Sequence, residues 1–183
     1  LGLEPGRATG VVLFGGQGSK QMLGIAQALH DVPLVLLCGH NEQLRRQLQA
    51  LPAAAPRLVV GHTSEVARYL RLADFLIGKP GPGSLSEALH CGLPVIVARN
   101  AWTMPQERYN TDWVRINGFG LVLPHFRGLR AAVASLLPQL GAYRSRVAAQ
   151  QNRAVFELPD LLARLLAQAQ ASRGCRDAVM AAS

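Results

Sequence analysis

Two stretches of this chain have residue types and spacing that could hold an anion: Gly15-Gly16-Gln17-Gly18-Ser19-Lys20, and Lys79-Pro80-Gly81-Pro82-Gly83-Ser84-Leu85-Ser86-Glu87. In the first, the glycines leave backbone N–H groups accessible, and a helix starting directly after the turn would add its positive dipole end. Gly16, Gln17, Gly18 and Ser19 are therefore candidates for a phosphate seat. Any tight strand-to-helix turn needs the same glycines, so the loop alone leaves both readings open. Two familiar nucleotide fingerprints fail here. Ser19 separates Gly18 from Lys20 where a Walker loop needs Gly-Lys-Ser/Thr, and the G-x-G-x-x-G spacing begun at Gly16 ends on Gln21. Cys38-Gly39-His40-Asn41 also lacks the acid that a dinucleotide fold uses for ribose.

The second stretch is a rigid Pro/Gly turn leading into a helix whose first turn carries hydroxyls and a carboxylate. The segment is a candidate for a second anion seat facing the first. Two helix N-termini aimed at one diphosphate would offset its charge without a metal, and the chain has no Asp-x-Asp pair to hold one. Glu87 has two readings. Ser84-x-x-Glu87 fits a capping box; alternatively, the carboxylate accepts from two ribose hydroxyls.

Further on, Gln106, Glu107 and Asn110 fall on the first turns of one helix, which would set amide and carboxylate groups side by side for sugar hydroxyls. Pro105 with Glu107 is equally an ordinary helix start. His62-Thr63 could flank a base, or His62 is a surface histidine; His30, His40, His90 and His125 form no spaced pair. No Ser/His/Asp set and no metal-ligand spacing emerges, so no catalytic base and no cofactor are expected in this chain.

Short apolar runs that alternate with helical patterns must position these loops. Strands are expected at Val11–Phe14, Leu34–Cys38, Leu58–Val60, Phe75–Ile77, Pro94–Ala98 and Leu121–Leu123. Helices are expected at Met22–His30, Glu42–Leu51, Glu65–Leu72, Leu85–Cys91 and Gln106–Asn117. Asn41 can cap the second helix, while Gly92 and Gly118 can close the fourth and fifth. Such alternation predicts an α/β fold, a doubly wound parallel sheet of about six strands that is Rossmann-like. In that fold, ligands bind at the carboxyl ends of the strands, where all the loops above would lie. Beyond the sixth strand the pattern is helical to about Gln170, broken near Pro138 and Pro159. Residues 1–9 read as a linker from a preceding domain, 10–171 as one folded domain, and 172–183 as a flexible tail.

With 49% hydrophobic and 16% charged residues, the 183-residue chain has ample material for one core. No apolar run reaches the roughly 18 residues of a membrane span, and the first residues lack the order of a signal peptide. Cys38, Cys91 and Cys175 are spaced neither for zinc nor for a disulfide framework, which predicts reduced thiols and a cytoplasmic setting. The net charge of +8 is spread as single and paired arginines without interleaved aromatics. That pattern lacks the marks of a single-strand nucleic-acid binder, and it leaves open solvated helix surface, an anionic ligand or an anionic membrane lipid.

Taken in order, Gly61–Val66 with Ala73-Asp74, Lys79-Pro80-Gly81 through Ser86-Glu87-Ala88-Leu89, Gly92-Leu93-Pro94, and Pro105-Gln106-Glu107 with Asn110 resemble a known family. It is the C-terminal domain of GT-B glycosyltransferases, as in monogalactosyldiacylglycerol synthases and the lipid-linked N-acetylglucosaminyltransferase of peptidoglycan synthesis. The resemblance runs from about Val11 to Leu123. It implies a domain that binds a UDP-sugar, from which a hexosyl group passes with inversion to an acceptor held by an N-terminal domain or subunit. It further implies that Gly16, Gln17, Gly18 and Ser19 contact phosphate and that the backbone at His62-Thr63 meets uracil. Gly83, Ser84 and Leu85 would seat the diphosphate, Glu87 would hold ribose, and Gln106, Glu107 and Asn110 would read the sugar. Two departures stand out: Pro82 between Gly81 and Gly83, and Trp102-Thr103-Met104-Pro105 where the synthases carry a glycine beside the glutamine. A non-catalytic nucleotide-binding module, or half of a UDP-sugar epimerase, are the alternative readings. Peripheral attachment to a membrane is expected from the lipid acceptor and the basic charge.

Overall fold

The structure, a computed structural model, describes residues 6–150 and 152–181. Strands and helices alternate along the chain: β1 (Gly10–Leu13), α1 (Gln21–Ala28), β2 (Leu34–Leu37), α2 (Glu42–Ala50), β3 (Arg57–Val60) and α3 (Val66–Arg71). They continue with β4 (Phe75–Gly78), α4 (Pro82–His90), β5 (Val95–Ala98), α5 (Pro105–Ile116), β6 (Gly120–Leu123), α6 (Leu129–Leu136) and α7 (Leu140–Ala149). All neighbouring strands pair in parallel, in the order β3-β2-β1-β4-β5-β6, as expected for a doubly wound sheet.

The four central strands are apolar and buried because both faces of the sheet are covered there, whereas the edge strands β3, which begins with Arg57, and β6 are only partly buried; the two-residue period divides the core in two. Val12, Leu34, Leu36, Ile77 and Ile96 pack with Met22 and Ile25 of α1, Leu44 and Leu48 of α2, and Leu129, Val133 and Leu136 of α6. Val11, Leu13, Val35, Leu37, Leu76, Val95 and Val97 pack with Leu70 of α3, Leu85, Ala88 and Leu89 of α4, and Val114 of α5. Asn41 caps α2, its Oδ1 accepting from the Leu44 amide at 2.9 Å. Gly92 (φ +77°) and Gly118 (φ +63°) end α4 and α5 in the left-handed region that suits glycine.

Four boundaries differ from expectation. Helix α4 starts at Pro82, three residues earlier than Leu85, because proline at the first helical position gives up only an amide that has no helical partner there. The segment 1–9 ends inside the body, since the Thr9 amide donates to Asp74 Oδ2 at 2.7 Å and the Asp74 amide returns a 2.7 Å bond to the Thr9 carbonyl. One compact unit ends at Ala149, and a second, from Gln150, holds α8 (Ala154–Ala181). Pro138 falls in a 3₁₀ turn between α6 and α7, as its ring requires, but Pro159 does not break α8. It lies early in that helix and forfeits one ladder bond, and the Leu, Ala, Gln and Arg residues that follow propagate the helix into 172–181, where a tail was expected.

Candidate functional site

β1 and β4 lie side by side at the centre of the sheet, but the chain leaves β1 toward α1 on one face and leaves β4 toward α4 on the other. Their loops diverge, and a crevice opens at this switch point. After β1 the turn is closed by the Gly18 amide donating to the Gly15 carbonyl at 3.1 Å, with Gly15 at φ +80° and Gly18 at φ +60°. α1 follows at Gln21, whose amide donates to Ser19 Oγ at 3.2 Å. After β4, Lys79-Pro80-Gly81 leads directly into α4, with Gly81 as its extended cap residue at ψ 139°. A cavity of about 260 Å³ spans the crevice, lined by Gly15 and Gly16 from the first turn and by Gly83, Ser84 and Glu87 from α4. His62, Thr63 and Gly61 after β3 form another part of its wall.

The early start of α4 removes the capping-box reading of Glu87. Ser84 is the third residue of the helix, and its hydroxyl donates back to the Gly81 carbonyl at 3.2 Å. Glu87 therefore sits a turn further along, exposed and on the cavity wall, where its carboxylate is free for a ligand hydroxyl. Pro82 has no amide to give. The first-turn amides of Gly83 and Ser84 have no helical acceptor, which leaves them as the α4 donors for an anion. Leu85 is corrected: its amide already bonds the Gly81 carbonyl at 3.1 Å and its side chain is 2% exposed, so it anchors the helix to the core and offers the cavity nothing.

The β1 turn is braced by the β2 turn. The Gly16 carbonyl accepts from the His40 amide at 2.8 Å, and the Gln17 carbonyl from Asn41 Nδ2 at 3.3 Å. These carbonyls are held by protein, and the Gly18 amide is spent on Gly15 within the turn, so the loop's amide donors for an anion are those of Gly16, Gln17 and Ser19. His62 is exposed, as a surface histidine would be, but it is not alone. Its ring stacks on that of His40, with centroids 3.8 Å apart and planes 18° from parallel. Linear spacing could not reveal this pair, because 22 positions separate the residues and adjacent loops of a parallel sheet bring them together. Thr63 Oγ1 accepts from the Glu65 amide at 3.0 Å, which sets the turn into α3.

The residues expected to read a sugar have three different situations. Glu107 is buried, 7% exposed, and pairs with Lys79 Nζ at 3.3 Å. Asn110 Nδ2 donates to the Pro80 carbonyl at 2.8 Å, so it ties α5 to the turn before α4. Gln106 is exposed, its amide 3.7 Å from Met104 Sδ. A second cavity of about 430 Å³ adjoins this group and is lined by Gly18, Ser19, Lys79, Asn100, Trp102 and Glu107 among others. The loop that bears Trp102 is braced by its own side chains: Asn100 Oδ1 accepts from the Trp102 amide and Thr103 Oγ1 from the Asn100 amide, both at 2.9 Å. Lys79, Gly39, His40 and Asn100 were missed as site residues in the sequence, although each lies just past a strand, which was the available signal. Among the described residues, no group of three or more His, Cys, Asp and Glu side chains could hold a metal, and no helix is long and apolar enough to cross a membrane.

No family model matches the chain. A probable monogalactosyldiacylglycerol synthase 3 of Oryza sativa subsp. japonica is 32% identical over 132 residues, which are 66% of this chain and 26% of that protein. MurG of Acinetobacter baumannii superposes with a TM-score of 0.75 at 16% identity, over 88% of this chain and 51% of that one. Os79 from O. sativa, solved in complex with UDP, superposes with a TM-score of 0.58 at 14% identity, over 80% of this chain and 36% of that one. The chain thus spans about a quarter of the rice synthase and no more than about half of these solved structures. By its strand order the chain is a Rossmann-like domain with the fold of GT-B glycosyltransferases, and its sequence is similar to about a quarter of a monogalactosyldiacylglycerol synthase.

Proposed function

We propose that this domain binds the donor of an inverting hexosyltransferase, holding a UDP-sugar whose hexosyl group passes to a lipid-linked acceptor carried by an acceptor-binding domain or subunit. The observation that carries the reading is the meeting of two glycine turns, one before α1 and one before α4, on the switch-point crevice with Glu87 and His62-Thr63 on the walls of the same cavity. Uracil lies against the His62-Thr63 backbone, Glu87 accepts from the ribose hydroxyls, and the diphosphate bridges the Gly16–Ser19 turn and the Gly83 and Ser84 amides. The sugar extends into the adjoining cavity beside Glu107 and Gln106. The fold shared with Os79, itself in complex with UDP, supports the choice of nucleotide.

In the transfer, an acceptor hydroxyl attacks the anomeric carbon on the face opposite UDP. The new C–O bond forms as the bond to the β-phosphate oxygen breaks, the hydroxyl proton goes to a base on the acceptor side, and the charge grows on the departing UDP. Backbone amides and helix dipoles already aimed at that charge stabilise it without reorganising. The base and the acceptor pocket belong to the acceptor-binding part, and the seat for UDP works without a metal. With a lipid acceptor and a net charge of +8, the protein works at the cytoplasmic face of a membrane bearing anionic lipid.

Thermal unfolding tests the donor assignment, because a ligand of the folded state raises the midpoint in proportion to its occupancy. UDP raises the melting temperature more than ADP or NAD does, and chelator leaves the shift in place. Equal shifts for UDP and ADP, or none at millimolar UDP, would overturn the assignment, and a shift abolished by chelator would overturn the metal-free seat.

A further inference from the structure

Lys79, which pairs with Glu107, has no task in the donor site described so far. Lys79 is the first residue after β4, and its Nζ lies 3.3 Å from Glu107 Oε1, with the lysine side chain 47% exposed and the glutamate side chain 10% exposed. A carboxylate buried to that degree is costly unless paired, so Glu107 holds the ammonium in place while the lysine keeps an open side toward solvent.

That place is between the two anion seats. A methyl group on Gly15 would lie 3.9 Å from Lys79 Cε, and one on Gly81 would lie 3.3 Å from the same atom. The lysine stem therefore passes the turn before α1 and the turn before α4, and Gly18, Ser19, Lys79 and Glu107 share one cavity. The charge balance asks for such a group. Two helix N-termini of about +0.5 each leave about one of the two charges of a sugar diphosphate uncompensated, and departure of the nucleotide adds more. Pro82 lowers the supply further by removing one amide from α4.

We propose that Lys79 is the cation that binds the donor's diphosphate. In the free protein its ammonium donates to Glu107; when the donor binds, it donates to a phosphate oxygen, and the released Glu107 carboxylate accepts from a sugar hydroxyl. Diphosphate binding and sugar reading are coupled through this exchange of partners. The inference rests on the nucleotide-sugar reading of the crevice.

The test is calorimetric titration of the 183-residue chain with uridine, UMP and UDP. It compares the wild type with Lys79→Met, Lys79→Arg and the double variant Lys79→Met/Glu107→Gln, which leaves no buried carboxylate unpaired. Lys79→Met and the double variant weaken UDP by about ten-fold or more and change uridine by less than about two-fold, while Lys79→Arg stays near the wild type, the pattern of one lost charge-assisted bond to phosphate. UDP affinity retained within about two-fold in the double variant overturns the role of Lys79 and leaves the nucleotide reading standing. Uridine weakened as much as UDP in that variant also overturns it, since the loss is then structural. A wild type that binds neither uridine nor UDP overturns the nucleotide reading, and the inference falls with it.

Discussion

The Gly16 carbonyl oxygen occupies the space that a side chain on Gly39 would need: a methyl group there would lie 2.0 Å from it. Gly39 also has φ +59°, and the amide of the next residue, His40, bonds that same carbonyl at 2.8 Å. The loops after β1 and β2 are locked backbone to backbone, which fixes the anion-facing side of the Gly15–Lys20 turn.

Gly39→Ala is therefore expected to be destabilising on two counts, a left-handed backbone worth about 1–2 kcal/mol and a displacement of the β1 turn. For a chain of this length each kcal/mol lowers the melting temperature by about 2–4 °C. Scanning calorimetry should show a drop of several degrees, with weaker UDP binding in the folded fraction. Unchanged stability would show that the two loops separate easily and do not set the phosphate seat.

Glu87→Gln is expected to weaken UDP by about 1–3 kcal/mol, the range for one hydrogen bond to a charged group. Its melting temperature should stay within a degree or so, because Glu87 is exposed and caps no helix end. Titration with UDP alongside a melting curve separates the outcomes. A fall in stability with UDP affinity intact would mean that the carboxylate supports α4 and does not hold ribose.

Asn110→Ala removes the 2.8 Å bond from Nδ2 to the Pro80 carbonyl, which ties α5 to the turn that presents Gly83 and Ser84. Stability should fall by about 1 kcal/mol, and UDP affinity should fall with it, measurable by titration as a function of temperature. A change confined to discrimination between UDP-sugars, with UDP itself unaffected, would instead make Asn110 a direct sugar contact.

Cys38 has no exposed surface, and burial pushes its thiol up to about 11 from an ordinary 9.0. In the folded protein it should resist iodoacetamide at pH 8 while the partly exposed Cys91 reacts, as peptide mass mapping would show. The linkage has a definite sign. The folded state keeps the proton that the unfolded state loses, so this contribution to stability is intact below about pH 9 and declines by about 1.4 kcal/mol per pH unit as pH rises toward 11. Denaturant titration at pH 8 and pH 10, repeated on Cys38→Ala, isolates the thiol; the pH dependence should shrink in the variant.

On the proposed reading, sugar transfer by this chain alone should be negligible, since an inverting displacement needs a base on the acceptor face, and the two cavities are lined by the loops proposed to hold the donor. A radiolabelled UDP-hexose assay with lipid acceptors checks this. Turnover of about 1 per second or more without a partner would place the base within these residues.

The sequence alone determined the order of elements and the parallel, doubly wound sheet, because each strand is a short apolar run between helical patterns and both faces must be covered. It likewise located the loops of the site, since in such a sheet every strand's carboxyl end faces one edge. It could not decide between the two roles of Glu87: Ser84-x-x-Glu87 has the spacing of a capping box, and only the helix start at Pro82 ruled that out. Nor could it reveal the stack of His40 on His62, the bond from Asn110 to Pro80, or the salt bridge from Lys79 to Glu107. These contacts join residues 22 to 30 positions apart, on loops and helices that meet only when the strands lie side by side. Local propensity registers neighbours within a turn or a strand, whereas the partner of a side chain across the crevice depends on strand order and register, which belong to the folded sheet.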